Sequence, residues 1–202
     1  DYRYGKISSY ILKNVDLKIE QGERLGIVSP SGYGKTTLIK LLAGYLVPEQ
    51  GKVLLDGQPL AKGQLPIQLI GQHPEQSVNP RWRMKRMLNE AGADNNDQQE
   101  MMDNLGIAPQ WLSRFPRELS AGELQRFCIV RALSSHPRFL LADEISTMLD
   151  VITQEQVWNY LLDWAEANNM GIAMVSHNMY LAKRVCTRVV DLRDINHTKP
   201  EN

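Results

Sequence analysis

Apolar residues fall into short blocks separated by glycine, proline and charged residues, and the spacing inside the blocks changes along the chain. Residues 11–20, ILKNVDLKIE, alternate apolar with polar positions, which predicts a half-buried antiparallel strand. Gln21-Gly22-Glu23 makes the turn that follows. RLGIVS, residues 24–29, is an uninterrupted apolar run, as a strand covered on both faces requires. Over 35–46, KTTLIKLLAGYL, residues Leu38, Leu41, Leu42 and Tyr45 recur at helical spacing. KVLLDG (52–57) and PIQLIGQ (66–72) predict two more strands, the first ending in an Asp-Gly turn.

Residues 80–118 are polar, rich in Met, Asn and Gln, and broken into short helical pieces. A longer helix is predicted over 121–135, ending near His136-Pro137. Buried strands are predicted over 138–143 and 171–176, and helices over 151–168 and 178–186. In the first of these helices Trp158, Leu161, Leu162 and Ala165 share one face. The polar tail 194–202 predicts disorder. Strands alternating with helices imply an α/β fold with a mostly parallel sheet covered on both faces. The N-terminal alternation adds an antiparallel β part, and residues 80–118 read as a helical insertion.

The length of 202 residues fits one domain, and 43% apolar with 23% charged residues is ordinary for a soluble globular chain. A formal net charge of zero gives no global field toward nucleic acid or a lipid surface, so only a local patch could serve such partners. Cys128 and Cys186 are isolated, which suggests neither a disulfide framework nor a metal cluster; each reads as a small buried hydrophobe in a helix. No run approaches the roughly 20 apolar residues of a membrane span, and no signal-peptide pattern is present, so a reducing cytoplasm is expected. The chain opens at Asp1 inside what reads as an ongoing domain, so further residues are expected upstream.

SPSGYGKTT, residues 29–37, lies between the predicted buried strand and a predicted helix. A strand, a glycine-bearing turn and Lys-Thr opening a helix form the setting of a phosphate-binding P-loop. Such a loop must turn several backbone N–H groups onto one anion, and Gly32 and Gly34 supply the needed freedom. The helix N-terminus adds partial positive charge. Lys35 is expected to reach the β- and γ-phosphates of a nucleotide, and Thr36 to offer its hydroxyl to Mg2+. Ser29, Ser31, Tyr33 and Thr37 complete the candidate lining, with Tyr33 pointing outward. The strict pattern begins with glycine where this chain has Ser29. A sparsely populated backbone conformation there would cost up to about 1–3 kcal/mol.

RFLLADE, residues 138–144, is an apolar strand ending in two acids. Beside a P-loop, Asp143 is placed to hold Mg2+ and Glu144 to polarise a water as general base. LSAGELQR, residues 119–126, reads as a helix start with Ser120 and Glu123 as a capping box, which alone is a full account of Ser120.

With these residues in place, the chain resembles the ATP-binding subunit of ABC transporters over nearly all its length. LSAGE matches three of the five positions of the family's Leu-Ser-Gly-Gly-Gln signature. Gln72, in LIGQHPEQ, resembles the Q-loop glutamine; STMLD (146–150) resembles the D-loop, with Asp150 at its acidic position; and VSH (175–177) resembles the switch strand, ending in His177. The resemblance implies a P-loop NTPase fold with a nucleotide-binding core over 1–79 and 136–194, a helical subdomain with the signature over 80–135, and a tail over 195–202. It implies two subunits stacked head to tail around two ATP molecules, with Ser120 and Gly122 of one facing the γ-phosphate held by the other. Glu144, His177 and Gln72 would be the catalytic set, with Thr36, Gln72 and Asp143 around Mg2+. An aromatic would stack on adenine, and Tyr4 is the choice, with Tyr10 the alternative.

GQHPEQSVNPRWRM, residues 71–84, together with FPRELS and LDVITQEQV, leans toward the peptide and nickel importer branch. The implied function is an ATPase subunit of an importer of small solutes, on the cytoplasmic face of the membrane. Its implied partners are permease transmembrane subunits and a second ATPase subunit, identical or different. Membrane contact would come only through those partners, and nucleic acid is not among them. RWRMKR (81–86) reads as a contact with the membrane subunit or its surroundings, or as a solvated helix face. The alternatives are a soluble ABC-type ATPase serving an enzyme complex, or a regulatory nucleotide-binding module. Ser29, Ala121, Glu123, Ile145 and Thr147 depart from the family pattern; all shape backbone, whereas the residues that do chemistry are kept. Glu123 is expected to bring negative charge near phosphate.

Overall fold

The computed structural model describes residues 1–5, 9–60, 66–92 and 95–198. Its central sheet has five parallel strands. β1 (Arg24–Val28) lies between β6 (Gly171–Ser176) and β7 (Arg188–Asp191), β6 pairs with β5 (Phe139–Asp143), and β5 pairs with β4 (Ile67–Ile70). The period of two along the strands divides their side chains between two cores. Leu140 and Ala142 of β5 and Ile172 and Met174 of β6 face the larger core, with α4 (Ala121–Leu133) and α5 (Val151–Ala167). Leu141, Ala173 and Val175 face the smaller core, with α1 (Lys35–Leu42). Because both faces are covered, β5 and β6 are buried throughout and apolar up to their last residues, Asp143 and Ser176, as the sequence implied.

β2 (Leu54–Leu55) and β3 (Gln58–Pro59) form a separate antiparallel hairpin. Asp56 and Gly57 turn it with φ of 51° and 76°, the left-handed pair a tight hairpin needs. α2 (Met84–Glu90), α3 (Asn95–Asn104) and two short 3-10 turns make the broken helical stretch before α4. α6 (Met179–Val185) and α7 (Leu192–Ile195) complete the described elements.

Three expectations are corrected. Residues 11–20 do not form a strand: Asn14 adopts φ of 50°, and Leu12 alone pairs, antiparallel, with Tyr2. The alternation reflected one-sided burial, since Val15, Leu17 and Ile19 pack on the smaller core without a backbone ladder. The helix from Lys35 stops at Leu42, because Gly44 turns at φ of 75° and its N–H bonds back to the Leu41 carbonyl. Tyr45 therefore leaves the apolar stripe and is exposed. The start of the tail is ordered: α7 packs Leu192 into the smaller core and Asn196 is buried, while residues 199–202 lie outside the described set. Cys128 is buried in α4 and its thiol is pushed up to about 11 by burial; Cys186 sits at the cap ending α6.

Phe127 is fully buried at the centre of the larger core, where α4 meets the insertion. Phe127→Ala is expected to cost about 3–5 kcal/mol of stability in urea unfolding. A loss under about 1 kcal/mol would mean that this core is not closely packed.

Candidate functional site at the carboxyl ends of the strands

The parallel register brings five strand ends to one edge. Val28 lies opposite both Ser176 and Asp191, Asp143 opposite Val175, and Ile70 opposite Ala142. Loops leaving these ends carry the predicted P-loop, Gln72, Glu144 and His177. In open α/β sheets this is the edge at which ligands bind.

Residues 29–34 cross from β1 to α1. Gly32 and Gly34 take φ of 85° and 90°, as expected of them. Gly34 caps α1, and a Cβ there would meet the Ile11 side chain at 2.8 Å, so glycine is required for conformation and space alike. Ser29 is buried and is not among the residues with positive φ, so glycine's freedom is not needed at that position. Its hydroxyl reaches the Pro30 carbonyl at 3.3 Å. Lys35 is buried and donates to the carbonyls of Ser29 at 2.7 Å and Pro30 at 3.0 Å. Ser31, Tyr33 and Thr36 are exposed. Thr37 is buried, and its hydroxyl lies 3.3 Å from the Tyr4 hydroxyl.

Beyond β5, Glu144 adopts φ of 51° after its N–H closes the last ladder bond to Val175 at 3.1 Å. The turn is held from behind by Trp158, whose ring N–H donates to the Ser146 hydroxyl at 3.2 Å. Gln72 donates to Glu144 Oε2 at 3.3 Å, and His177 Nδ1 lies 3.4 Å from Glu144 Oε1. Three loops thus converge on one carboxylate. A cleft of about 360 Å³ opens beside it, lined by Glu144, Thr147, Ser176 and His177 among others.

Asp143 is buried, and burial raises its carboxyl above the ordinary value. The Thr36 hydroxyl opposes this, Glu144 adds to it, and Lys40 and Lys35 oppose it more weakly. Lys40 was not singled out in the sequence, although it stands one helical turn after Thr36. Asp143 Oδ1 is buried with no hydrogen-bond partner. A carboxylate oxygen and a threonine hydroxyl are hard donors suited to Mg2+, which takes few protein ligands and completes its shell with water and phosphate oxygens. Among the described residues no group of three or more His, Cys, Asp or Glu could hold a metal ion, so a denser metal centre is not indicated there.

Ser120, Gly122 and Asp150 form a second group. Ser120 caps α4, accepting from the Glu123 N–H at 3.2 Å, and the Glu123 carboxylate accepts from the Ser120 N–H at 2.6 Å. Glu123 therefore spends its charge on the cap. A Cβ on Gly122 would meet the Leu149 side chain at 3.0 Å and the Met148 carbonyl at 3.3 Å, which packs the signature against the segment before Asp150. Asp150 caps α5, accepting from the Thr153 N–H at 3.0 Å and hydroxyl at 2.6 Å; these bonds lower its pKa. Tyr4 is half exposed and edge-on to Tyr2, whereas the Tyr10 ring carries the Arg3 guanidinium 4.9 Å from its centre.

The family described as ABC transporter matches residues 12–147. A probable D,D-dipeptide transport ATP-binding protein of Escherichia coli is 35% identical over 196 residues, covering 92% of this chain and 62% of its own length. A nickel import system ATP-binding protein of Staphylococcus aureus is 34% identical over 194 residues, 91% of this chain and 80% of its own. The chain thus spans under two thirds of the first relative. The solved structure of a dimeric ATP-binding cassette in a post-hydrolysis state, bound to ADP and Pi, superposes with a TM-score of 0.81 at 25% identity, over 94% of this chain and 89% of that one.

The raised pKa of Asp143 means that the folded chain keeps this proton to higher pH than the unfolded chain does. The group favours folding fully below the ordinary 3.8, and that contribution is lost as pH rises through the folded value. Asp143→Asn cannot ionise. In Mg2+-free buffer its stability relative to wild type is expected to rise with pH above 3.8 and then level off, measured by urea unfolding at several pH values. A difference that stays constant with pH would contradict the assignment.

Proposed function

The chain belongs to the ABC transporter family, and on that premise we propose that it is the ATP-binding and ATP-hydrolysing subunit of an importer of small solutes, of the peptide, nickel or metal-chelate class. The observation that carries this reading is the convergence of the Lys35 loop, Asp143, Glu144, Gln72 and His177 on one edge of the sheet. The N–H groups of the loop and the start of α1 would hold the phosphates, and Lys35 would turn from the Ser29 and Pro30 carbonyls to the β- and γ-phosphate oxygens. Thr36 and Asp143 would hold Mg2+, with Gln72 nearby. When bound, Mg2+ would offset the charge of the phosphates. Glu144 would take the proton of the attacking water, with Gln72 and His177 fixing its carboxylate. Tyr4 would stack on adenine.

A second ATPase subunit, identical or different, would complete the site by presenting its Ser120 and Gly122 to the γ-phosphate. Met148, Val151 and Ile152 support this: they are exposed apolar residues flanking Asp150, where a second copy would cover them. The basic residues Arg81, Arg83, Lys85 and Arg86 of the 80–135 helical subdomain would meet the permease. Among the described residues no helix is long and apolar enough to cross a membrane, which suits peripheral attachment through partners at the cytoplasmic face.

Purified wild type is expected to bind and hydrolyse ATP. Lys35→Ala should weaken binding by about tenfold or more, and Glu144→Gln should bind normally while turnover falls about 100-fold or more. Wild-type turnover in Glu144→Gln would remove Glu144 from the role of base. Tight binding by wild type with turnover only after a second subunit is added would identify a heterodimer.

A further inference from the structure

The ribbon that carries Tyr4 lies against the phosphate loop and is tied at its first residues: the Asp1 ammonium donates to the Gln50 carbonyl at 2.8 Å, the Asn14 N–H donates to Asp1 Oδ1 at 2.6 Å, and Arg3 pairs with Glu49 at 2.8 Å. Its two segments, around residues 1–5 and 11–14, share one isolated antiparallel bridge, with the Tyr2 N–H donating to the Leu12 carbonyl at 2.8 Å and the Ile11 N–H to the Tyr2 carbonyl at 3.0 Å. A ribbon this short is not stable alone. Yet the side chains of Ile11 and Leu12 come within 2.8 and 3.1 Å of where a Cβ of Gly34 would stand, so the ribbon fixes one side of the loop.

A further restraint, on the strand segment that touches Gly34, comes from the far end of the chain. Asn196 is 7% exposed, and its side-chain amide makes two bonds to the ribbon. Oδ1 accepts from the Lys13 N–H at 2.9 Å, and Nδ2 donates to the Ile11 carbonyl at 2.9 Å. The His197 N–H adds a third bond, to the Lys13 carbonyl at 3.0 Å. Asn196 is itself anchored. It follows α7, whose N-cap is Asp191, and Asp191 lies opposite Val28, the residue before Ser29. Contacts therefore close a circuit from the end of β1 through the loop, Gly34, the ribbon, Asn196 and α7 back to the end of β1.

We propose that Asn196 is a positioning residue for nucleotide binding: it clamps the ribbon against Gly34 and so sets the shape of the phosphate loop and the place of Tyr4. The proposal rests on the nucleotide-binding reading above. Asn196 touches no candidate catalytic group, so it acts on affinity and not on the chemical step.

The test compares wild type with Asn196→Ala, Asn196→Asp and, as a control, Gln98→Ala. Gln98 is an equally buried amide in the helical insertion, bonded to the Leu88 carbonyl at 2.9 Å. Two readouts are taken on the full chain: amide hydrogen exchange over residues 1–14 and 34–42, and equilibrium binding and turnover of Mg-ATP. Asn196→Ala is expected to speed exchange in both segments and weaken Mg-ATP binding about five- to tenfold, with turnover at saturation unchanged. Asn196→Asp keeps the volume and the acceptor for Lys13 but sets a carboxylate oxygen against the Ile11 carbonyl, so at neutral pH its effect should be at least as large as that of Ala. Gln98→Ala should lower stability without either effect. Exchange over 34–42 that is the same in Asn196→Ala as in wild type, or an equal affinity loss in Gln98→Ala, would overturn the clamp. If wild type binds no nucleotide while exchange responds to Asn196→Ala, the nucleotide reading falls and the mechanical clamp stands.

Discussion

A buried carboxylate with an unpartnered oxygen, at the end of a strand with no exposed residue, is the constraint around which the rest of the site is arranged. Burying a charged group costs free energy unless something pairs with it. The chain supplies only a threonine hydroxyl and two lysines further off, and the carboxyl answers with a raised pKa. A side chain chosen for stability alone would be apolar here, like its neighbours in β5. In the function proposed above Asp143 would be a donor for a cation, with the folding cost offset by the two cores packed on either face of the strand.

The parallel ladder makes that arrangement possible. A register that sets Val28 against Ser176 and Asp143 against Val175 delivers the Lys35 loop, Asp143, Glu144 and His177 to one edge, though they come from distant parts of the sequence. Two irregular backbone positions shape this edge. Gly34 and Glu144 both take left-handed conformations, one to admit the ribbon at Ile11 and the other to turn the chain out of the sheet so that Gln72 and His177 can reach its carboxylate.

The sheet and the strand–loop–helix turn around Gly32 and Gly34 were legible in the sequence because their signals are local. A doubly covered strand is a run of apolar residues, and a loop that wraps an anion needs glycines at fixed places. What failed was also local but ambiguous. Alternation over 11–20 records burial on one face, which a packed irregular segment satisfies as well as a strand does. The stripe ending in Tyr45 ignored Gly44, whose positive φ ends the helix one turn early. Whether Ser29 could replace glycine depended on a backbone angle that no residue pattern encodes. The link between Lys13 and Asn196 spans 183 positions, and a single asparagine in a polar tail carries no signal of its own.

We propose that this edge of the sheet holds a nucleotide through Lys35, Thr36 and Asp143. Calorimetric titration of the purified chain with ATP, with Mg2+ and again with a chelator, tests it most directly. The account predicts saturable binding of one ATP per chain that tightens with Mg2+, and a metal effect that disappears in Asp143→Ala. No binding heat under either condition, or an affinity indifferent to Mg2+, would contradict it.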